Sequence, residues 1–370
     1  MTLYICLIVF YLLLALIFEK VKFTLARSLN LDKCILLGIL LFPIFFTVAF
    51  RAETVGNDTI AYRHIYEVSQ KKSLQEIIAQ SPEPIFGIIC HGVGSLGLSY
   101  LEFQIFIAFI TYLFLFFYLK NHSHNYALSI LVFMCILAYF RSMNIIRQML
   151  VCLISLNVFD FYQCRKNIKY IASVLLLALI HRTAIILLFL LPFEQIRKLG
   201  VLAKIGFVIA CVLSYTLADK FLSFSMFFLG KYDHFLESKY MLENGYLGTL
   251  AMLVFTSLCA FIEFYNKPLA KKDLIANKSQ NSQILPRSRV LLYSYFLCFI
   301  VLCLGFAFGL ANRMIIYFSL LFMETLSKPS HNRIILFTKV STIILLITYY
   351  LFVMLLRNNW QGTIPYVLQI

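Results

Sequence analysis

Charge is scarce in this chain, and negative charge scarcest. Only 13% of its 370 residues are charged, with 17 Asp and Glu against 32 Lys and Arg, while 61% are hydrophobic and the mean hydropathy is +0.86. Soluble domains carry about a quarter charged residues, so a soluble fold is excluded. No CxxC pair occurs, and the ten cysteines lie in apolar runs or at their edges, which argues against a disulfide framework or a cysteine metal site. There is no GxxxxGK[ST] loop and no GxGxxG after a strand, so ATP-driven export by this chain alone is not expected. No inverted repeat is visible. The N-terminus lacks a basic n-region, and its first apolar run reads as a retained helix.

What remains is apolar runs of about 15–22 residues from end to end, each close to the length needed to cross a hydrocarbon core of about 30 Å as a helix. Spans are expected near 3–18, 34–50, 101–119, 126–140, 144–162, 205–221, 247–265, 291–309, 314–327 and 335–356. The run 170–193 carries His181-Arg182-Thr183 at its middle and reads as two short helices meeting at a bend. Segment 83–98, with four glycines, reads as re-entrant or as a short span. The expected fold is all-α: one polytopic transmembrane domain over 1–370 with roughly 10–13 helices.

A net charge of +15 in a soluble protein would point to nucleic acid, but here its distribution is a topology signal, and no nucleic-acid partner is expected. Lys20, Lys22, Arg27 and Lys33 share one loop, Arg165, Lys166 and Lys169 another, and Arg197, Lys198 and Lys204 a third. The polar stretch 266–290 holds six more. All can face one side, which the positive-inside rule makes the cytoplasm. Loops 51–82 and 222–246, the short connections at 141–143, 182–183 and 311–313, and the C-terminal tail then face outward. Arg51, Arg141, Arg182 and Arg313 lie on that outer side, against the rule's bias.

These arginines sit at helix starts. In RSMNIIRQ, Ser142 or Asn144 can cap a helix whose first turn holds Arg147 and Gln148; in HRTA, Thr183 can cap behind His181 and Arg182; in ANR, Asn312 can cap before Arg313. A basic residue at the positive end of a helix dipole is unfavourable unless an anion is bound, and N–H groups and guanidinium forks both suit phosphate oxygens. The other reading is that the arginines snorkel to the interface or pair with Asp58, Glu53 and Glu83. In the first outer loop, Gly56-Asn57-Asp58-Thr59 reads as a turn and a capped helix start that carries Tyr62, His64, Tyr66 and Glu67. Such a helix suits a sugar-binding groove, and equally an interfacial anchor.

The order Arg51, GNDTIAYRHIYE, EPIFGII, Arg147-Gln148, HRTA at 181–184, Asn312-Arg313 and the tail WQGTIPYVL resembles the EpsG family of polysaccharide polymerases, related to the Wzy O-antigen polymerases. HRTA departs from the more usual His-x-Ser-Ala by one hydroxyl residue for another. The resemblance implies an integral-membrane glycosyltransferase, similar to GT-C-like enzymes, in the bacterial inner membrane. It would transfer a glycan from undecaprenyl pyrophosphate to the next lipid-linked repeat unit at the periplasmic face. Arg51, Arg141, Arg147, Gln148, Arg182 and Arg313 would then hold the pyrophosphate, and Tyr62, His64 and Tyr66 the sugar. Asp58, Glu53, Glu83 and His181, in that order, are candidates for the base. No metal or cofactor is expected; the partners are the lipid-linked oligosaccharide, membrane lipids and a chain-length regulator. A flippase for lipid-linked sugars, an O-antigen ligase and a membrane acyltransferase are the alternatives. A flippase calls for arginines reachable from both faces, an acyltransferase for a histidine reachable from the cytoplasm, and a ligase for a broader late outer loop.

Overall fold

The computed structural model describes residues 1–21, 33–81, 83–196, 201–217, 220, 246–265, 284–307, 309–357 and 360–369. Half of the basic residues expected in the inner loops, and nearly all of the expected outer loop 222–246, lie outside them. The described chain is 82% helical and contains no strand, as expected for a backbone that must satisfy its own polar groups in lipid. Four helices, Tyr100–His122, Tyr246–Tyr265, Arg287–Phe306 and Arg333–Leu356, are each long and apolar enough to cross a membrane. A fifth crossing is available to the pair Tyr126–Cys135 and Ala138–Asn144, bent by 63° at Leu137, whose φ of +63° is left-handed. The remaining apolar helices of the described residues, such as Lys33–Ala49 and Asn167–Ala178, are shorter.

Local chemistry sets several helix ends. Ser99 and Glu102 form a capping box at the start of Tyr100–His122, as do Ser73 and Glu76 before Leu74–Gln80. The first of these helices also ends on Lys120 and His122, the charge order its dipole favours. Pro84–Ser95 has 12 residues and is about 18 Å long, too short to span. The run 170–193 divides as expected: an α-helix to Ala178, then a 3₁₀ segment Arg182–Leu190 and a short helix Leu191–Ile196. The expected span 314–327 is instead broken into Ile316–Ser319 and Phe322–Ser327 behind a 3₁₀ turn, Gly309–Arg313. Residues 315–327 are all buried, so protein rather than lipid surrounds the break.

That central position explains the packing. Residues 126–140 and 146–163 supply much of the core, with Leu131, Phe133, Tyr139, Phe140, Cys152 and Phe159 at or below 1% exposure. The helices around them are apolar on both sides: Leu37 and Leu41 face inward while Ile39 and Phe42 stay exposed. Exposed apolar side chains in that number suit a lipid surround.

Polar side chains gather at the two ends of this bundle. The 100–122 helix is about 35 Å long; at its start the Tyr100 hydroxyl donates to the Thr59 carbonyl, and at its end His122 reaches Asp160. The second end holds a buried ionic network. Arg287 grips Glu324 through Nε at 3.1 Å and Nη2 at 2.8 Å, and Asp160 through Nη1 at 2.9 Å. Tyr118 donates to Glu324 at 3.0 Å, and Lys328 bridges Glu324 and Glu263 at 3.3 and 3.0 Å. Every carboxylate here has at least one cationic partner, the condition under which buried charge is tolerated.

Glu324→Leu leaves Arg287 and Lys328 short of a counter-charge. We expect it to lower stability by about 3–5 kcal/mol in detergent, and the double variant Glu324→Leu/Arg287→Met to recover part of that loss. Equal melting temperatures for wild type and Glu324→Leu would contradict the network's role.

Candidate active site

Three segments far apart in the chain are braided at the first end of the bundle. Gly56 N–H donates to the Gly362 carbonyl at 2.8 Å, and Asn57 N–H to that of Gln361 at 3.1 Å. Further back, Ala52 N–H bonds the Val367 carbonyl, and Gln369 N–H that of Phe50, both at 2.8 Å, around an antiparallel bridge of Arg51 with Leu368. The third strand of the braid is the helix break at 144–145, where Asn144 Nδ2 donates to Gln361 Oε1 at 3.0 Å. Gly56 is required by this closeness: its φ is +99°, and a Cβ there would lie 2.8 Å from Thr59 Oγ1 and 3.0 Å from the Met143 carbonyl.

The arrangement brings Asp58, Glu83, Arg147, His181, Arg182 and Arg313 to one region. Glu83, 5% exposed, stands just before Pro84–Ser95. Its Oε2 accepts from Arg147 Nη1 at 2.7 Å, and its Oε1 accepts from the Arg182 backbone N–H at 3.0 Å and pairs with His181 Nδ1 at 2.9 Å. Burial pushes this carboxyl's pKa up, but His181, Arg147 and the Arg182 amide outweigh burial and hold it below the usual glutamate value. The Arg147 guanidinium also lies 5.5 Å from the Tyr62 ring centre and 5.4 Å from that of Phe86, a cage suited to a planar cation.

Asp58 has the opposite setting. It stands at the start of the Thr59–Gln70 helix, half-buried, and its side chain makes no capping bond. Burial raises its pKa, and the nearby Arg313 and Arg147 only partly oppose that shift. A carboxylate with a raised pKa beside two cations, without a hydrogen bond that fixes it, is suited to taking up a proton.

Arg313 is exposed and Arg141 half-buried. They are electrostatic neighbours, with Tyr349 beside Arg141, and among the described residues no carboxylate lies within ion-pair range of either. Gln148, 2% exposed, donates to the Arg313 carbonyl at 2.7 Å, holding that turn in place.

Other expectations come out differently. None of the proposed caps forms: Ile145 is the cap of Ile146–Gln163, Thr183 bonds the Tyr317 hydroxyl at 3.0 Å, and Asn312 accepts from Thr249 at 3.0 Å. The helix carrying Tyr62, His64 and Tyr66 is present, but only His64 is exposed. Tyr66 is 1% exposed, stacks on Phe103 at 4.6 Å and donates to the Leu98 carbonyl, so it is a core residue in this structure. Glu53 pairs with Arg63 on the surface. Arg51 is 1% exposed and lies in the interior, apart from the other arginines. Phe86 and Tyr349 belong to the site without having been expected there; only the aromatic in EPIFG hinted at the first.

The family model of the EpsG family matches residues 34–368, nearly the whole chain. The chain belongs to the EpsG family. This is a Wzy-like polymerase family, which supports a glycosyltransferase-like role in polysaccharide synthesis. No curated protein and no solved structure matches the chain, so the residue-level reading of this EpsG-family protein rests on its own geometry.

The two carboxylates predict opposite responses. Glu83→Gln should cost about 2–3 kcal/mol at pH 7, because Arg147 loses its counter-charge in a buried setting. A depressed folded-state pKa stabilises above the unfolded value, so this increment fades as the pH falls below the ordinary glutamate value of 4.5. Asp58 has a raised folded-state pKa, and its ionisation opposes folding as the pH rises, so Asp58→Asn should leave the melting temperature at pH 7 unchanged or higher. Thermal unfolding of both variants at pH 4 and 7 checks the signs; destabilisation by Asp58→Asn at pH 7 would contradict them.

Proposed function

We propose that the protein is a polysaccharide polymerase of the lipid-linked-donor kind. It transfers a glycan from undecaprenyl pyrophosphate to the next lipid-linked repeat unit at the periplasmic face of the bacterial inner membrane. The observation that carries this reading is the pairing of opposites at one end of the bundle. Asp58, a carboxylate with a raised pKa, lies beside Arg313, and neither Arg313 nor its neighbour Arg141 has a carboxylate partner among the described residues.

In this reading Asp58 takes the proton from the acceptor hydroxyl as its oxygen attacks the anomeric carbon of the donor. The bond from that carbon to the diphosphate oxygen breaks, and the electron pair leaves with the diphosphate. Arg141 and Arg313 neutralise the charge that develops there, work otherwise done by a metal ion. Asp58 then releases its proton to solvent or to the departing diphosphate. Glu83 is a poor base by comparison, since its pKa is depressed and three groups hold it; it positions Arg147 and the His181-Arg182 turn. His181 is engaged with Glu83. Glu53, paired with Arg63 at the surface, is set aside as a base. Of the expected sugar contacts, the exposed His64 remains available, while Tyr62 is buried against Arg147, and a chain-length regulator is the expected protein partner. A flippase would want its arginines reachable from both faces, whereas these gather at one end.

The test is the surface polysaccharide of a strain deleted for the gene, resolved on gels after complementation. Wild type restores a ladder. Asp58→Asn, expressed equally, leaves only single repeat units, with polymerisation down by about 100-fold or more. A full ladder with Asp58→Asn would remove Asp58 as the base. Loss of even the single capped unit in the deletion strain would point to a flippase or ligase.

A further inference from the structure

One buried cation takes no part in this reaction. Arg51 is 1% exposed, and its Nη1 donates to the Val48 carbonyl at 2.6 Å. Its Nε and Nη2 are buried and have no hydrogen-bond partner among the described residues. The groups that influence its charge are Tyr100, Tyr112, Tyr366 and Tyr62, all phenols and neutral at physiological pH. The end of the Lys33–Ala49 helix contributes a dipole equivalent to about half a negative charge. The rest of the charge is uncompensated, a condition that costs several kcal/mol in an interior.

Arg51 also lines a cavity. Gln104, Thr111, Tyr112 and Ser142 line it beside apolar walls from Val48, Ile107, Ala108 and Ile146, and it has room for about one water-sized particle. Gln104 Nε2 donates to the carbonyls of Ala49 and Arg51, both at 2.9 Å, which fixes the amide's orientation and leaves Oε1 without a donor among the described residues. Ser142 directs its hydroxyl to the Tyr139 carbonyl, Thr111 donates to the Ile107 carbonyl, and the Tyr112 hydroxyl pairs with that of Ser142. The guanidinium is therefore the cavity's main donor.

We propose that this cavity is a binding site for one small monovalent anion of halide size, held by the Nε and Nη2 fork of Arg51. Its volume excludes a diphosphate or a sugar acid. A water molecule can serve Gln104 Oε1 and one guanidinium N–H together, but it supplies no charge, and charge is what the site lacks. Apolar walls favour a weakly hydrated ion such as chloride or bromide over a strongly hydrated one. The ion sits on the Arg51 side, away from the Gln104 oxygen. This inference does not depend on the polymerase reading and stands equally for a flippase.

The experiment is thermal unfolding of the full-length purified protein in detergent, with sodium gluconate replaced stepwise by sodium chloride or bromide at constant ionic strength. Wild type should show a saturable rise of roughly 2–4 °C with either halide. Arg51→Met should lose that rise, and Arg313→Ala should keep it, which separates the cavity from the exposed arginines. Identical curves in gluconate and halide would overturn the proposal and leave a water-filled cavity. So would a rise that survives Arg51→Met, or one that disappears with Arg313→Ala. If Arg51→Met does not fold, bromide anomalous scattering from wild-type crystals decides: a peak beside Arg51 supports the site, and its absence from an otherwise phased map overturns it.

Discussion

The end of the bundle that carries the candidate site depends on one buried carboxylate. Glu83 ties the start of Pro84–Ser95 to the first turn of Ile146–Gln163 through Arg147, and to the 181–182 bend through His181 and a backbone amide. Charge burial is unfavourable by itself, so the arrangement holds only while all three partners are present. That makes it a good scaffold: the guanidinium cage of Tyr62 and Phe86 and the turn at Arg182 are fixed together. Arg147 is shared between this scaffold and Asp58, so the charge of Asp58 is coupled to it electrostatically.

The two ends of the molecule solve the problem of buried charge differently. At one end, Arg287, Lys328, Glu324, Glu263 and Asp160 compensate one another within the protein, an arrangement for holding helices together. At the other, positive charge exceeds negative, and Arg141 and Arg313 remain without a carboxylate among the described residues. The helices from 100 to 122 and from 146 to 163 touch both ends, so the compensated network keeps rigid the elements that display the uncompensated one. The C-terminal tail adds a lock at this end, with Gln361 and Gly362 bonded to the loop that carries Asp58.

Much of this was legible in the sequence because it depends on local pattern. Apolar runs specify an all-helical membrane protein, the GNDT turn precedes a helix, and the polar triplet at 181–183 bends an otherwise apolar run. The misses share a cause, which is partners distant in the chain. Asn144, Thr183 and Asn312 are good caps on local grounds, yet they bond residues 217, 134 and 63 positions away. Pairing of an outer arginine with Glu83 was one of the readings the sequence allowed, but which arginine takes it, Arg147 from 64 residues away, is set only by the fold. Tyr66 has the composition of a groove residue, but Phe103 and Leu98 draw it into the core. The break within 314–327 was hidden because its residues are apolar, and only the surrounding protein makes a broken helix tolerable there.

The central claim is that the uncompensated arginines hold a lipid-linked diphosphate. Its most direct test is equilibrium binding of undecaprenyl diphosphate to the purified protein in nanodiscs, with undecaprenyl monophosphate as the comparison. The account predicts tighter binding of the diphosphate, and a loss of about tenfold or more for each of Arg141→Gln and Arg313→Gln at unchanged melting temperature. Equal affinity for the two lipids, unaffected by either substitution, would contradict it.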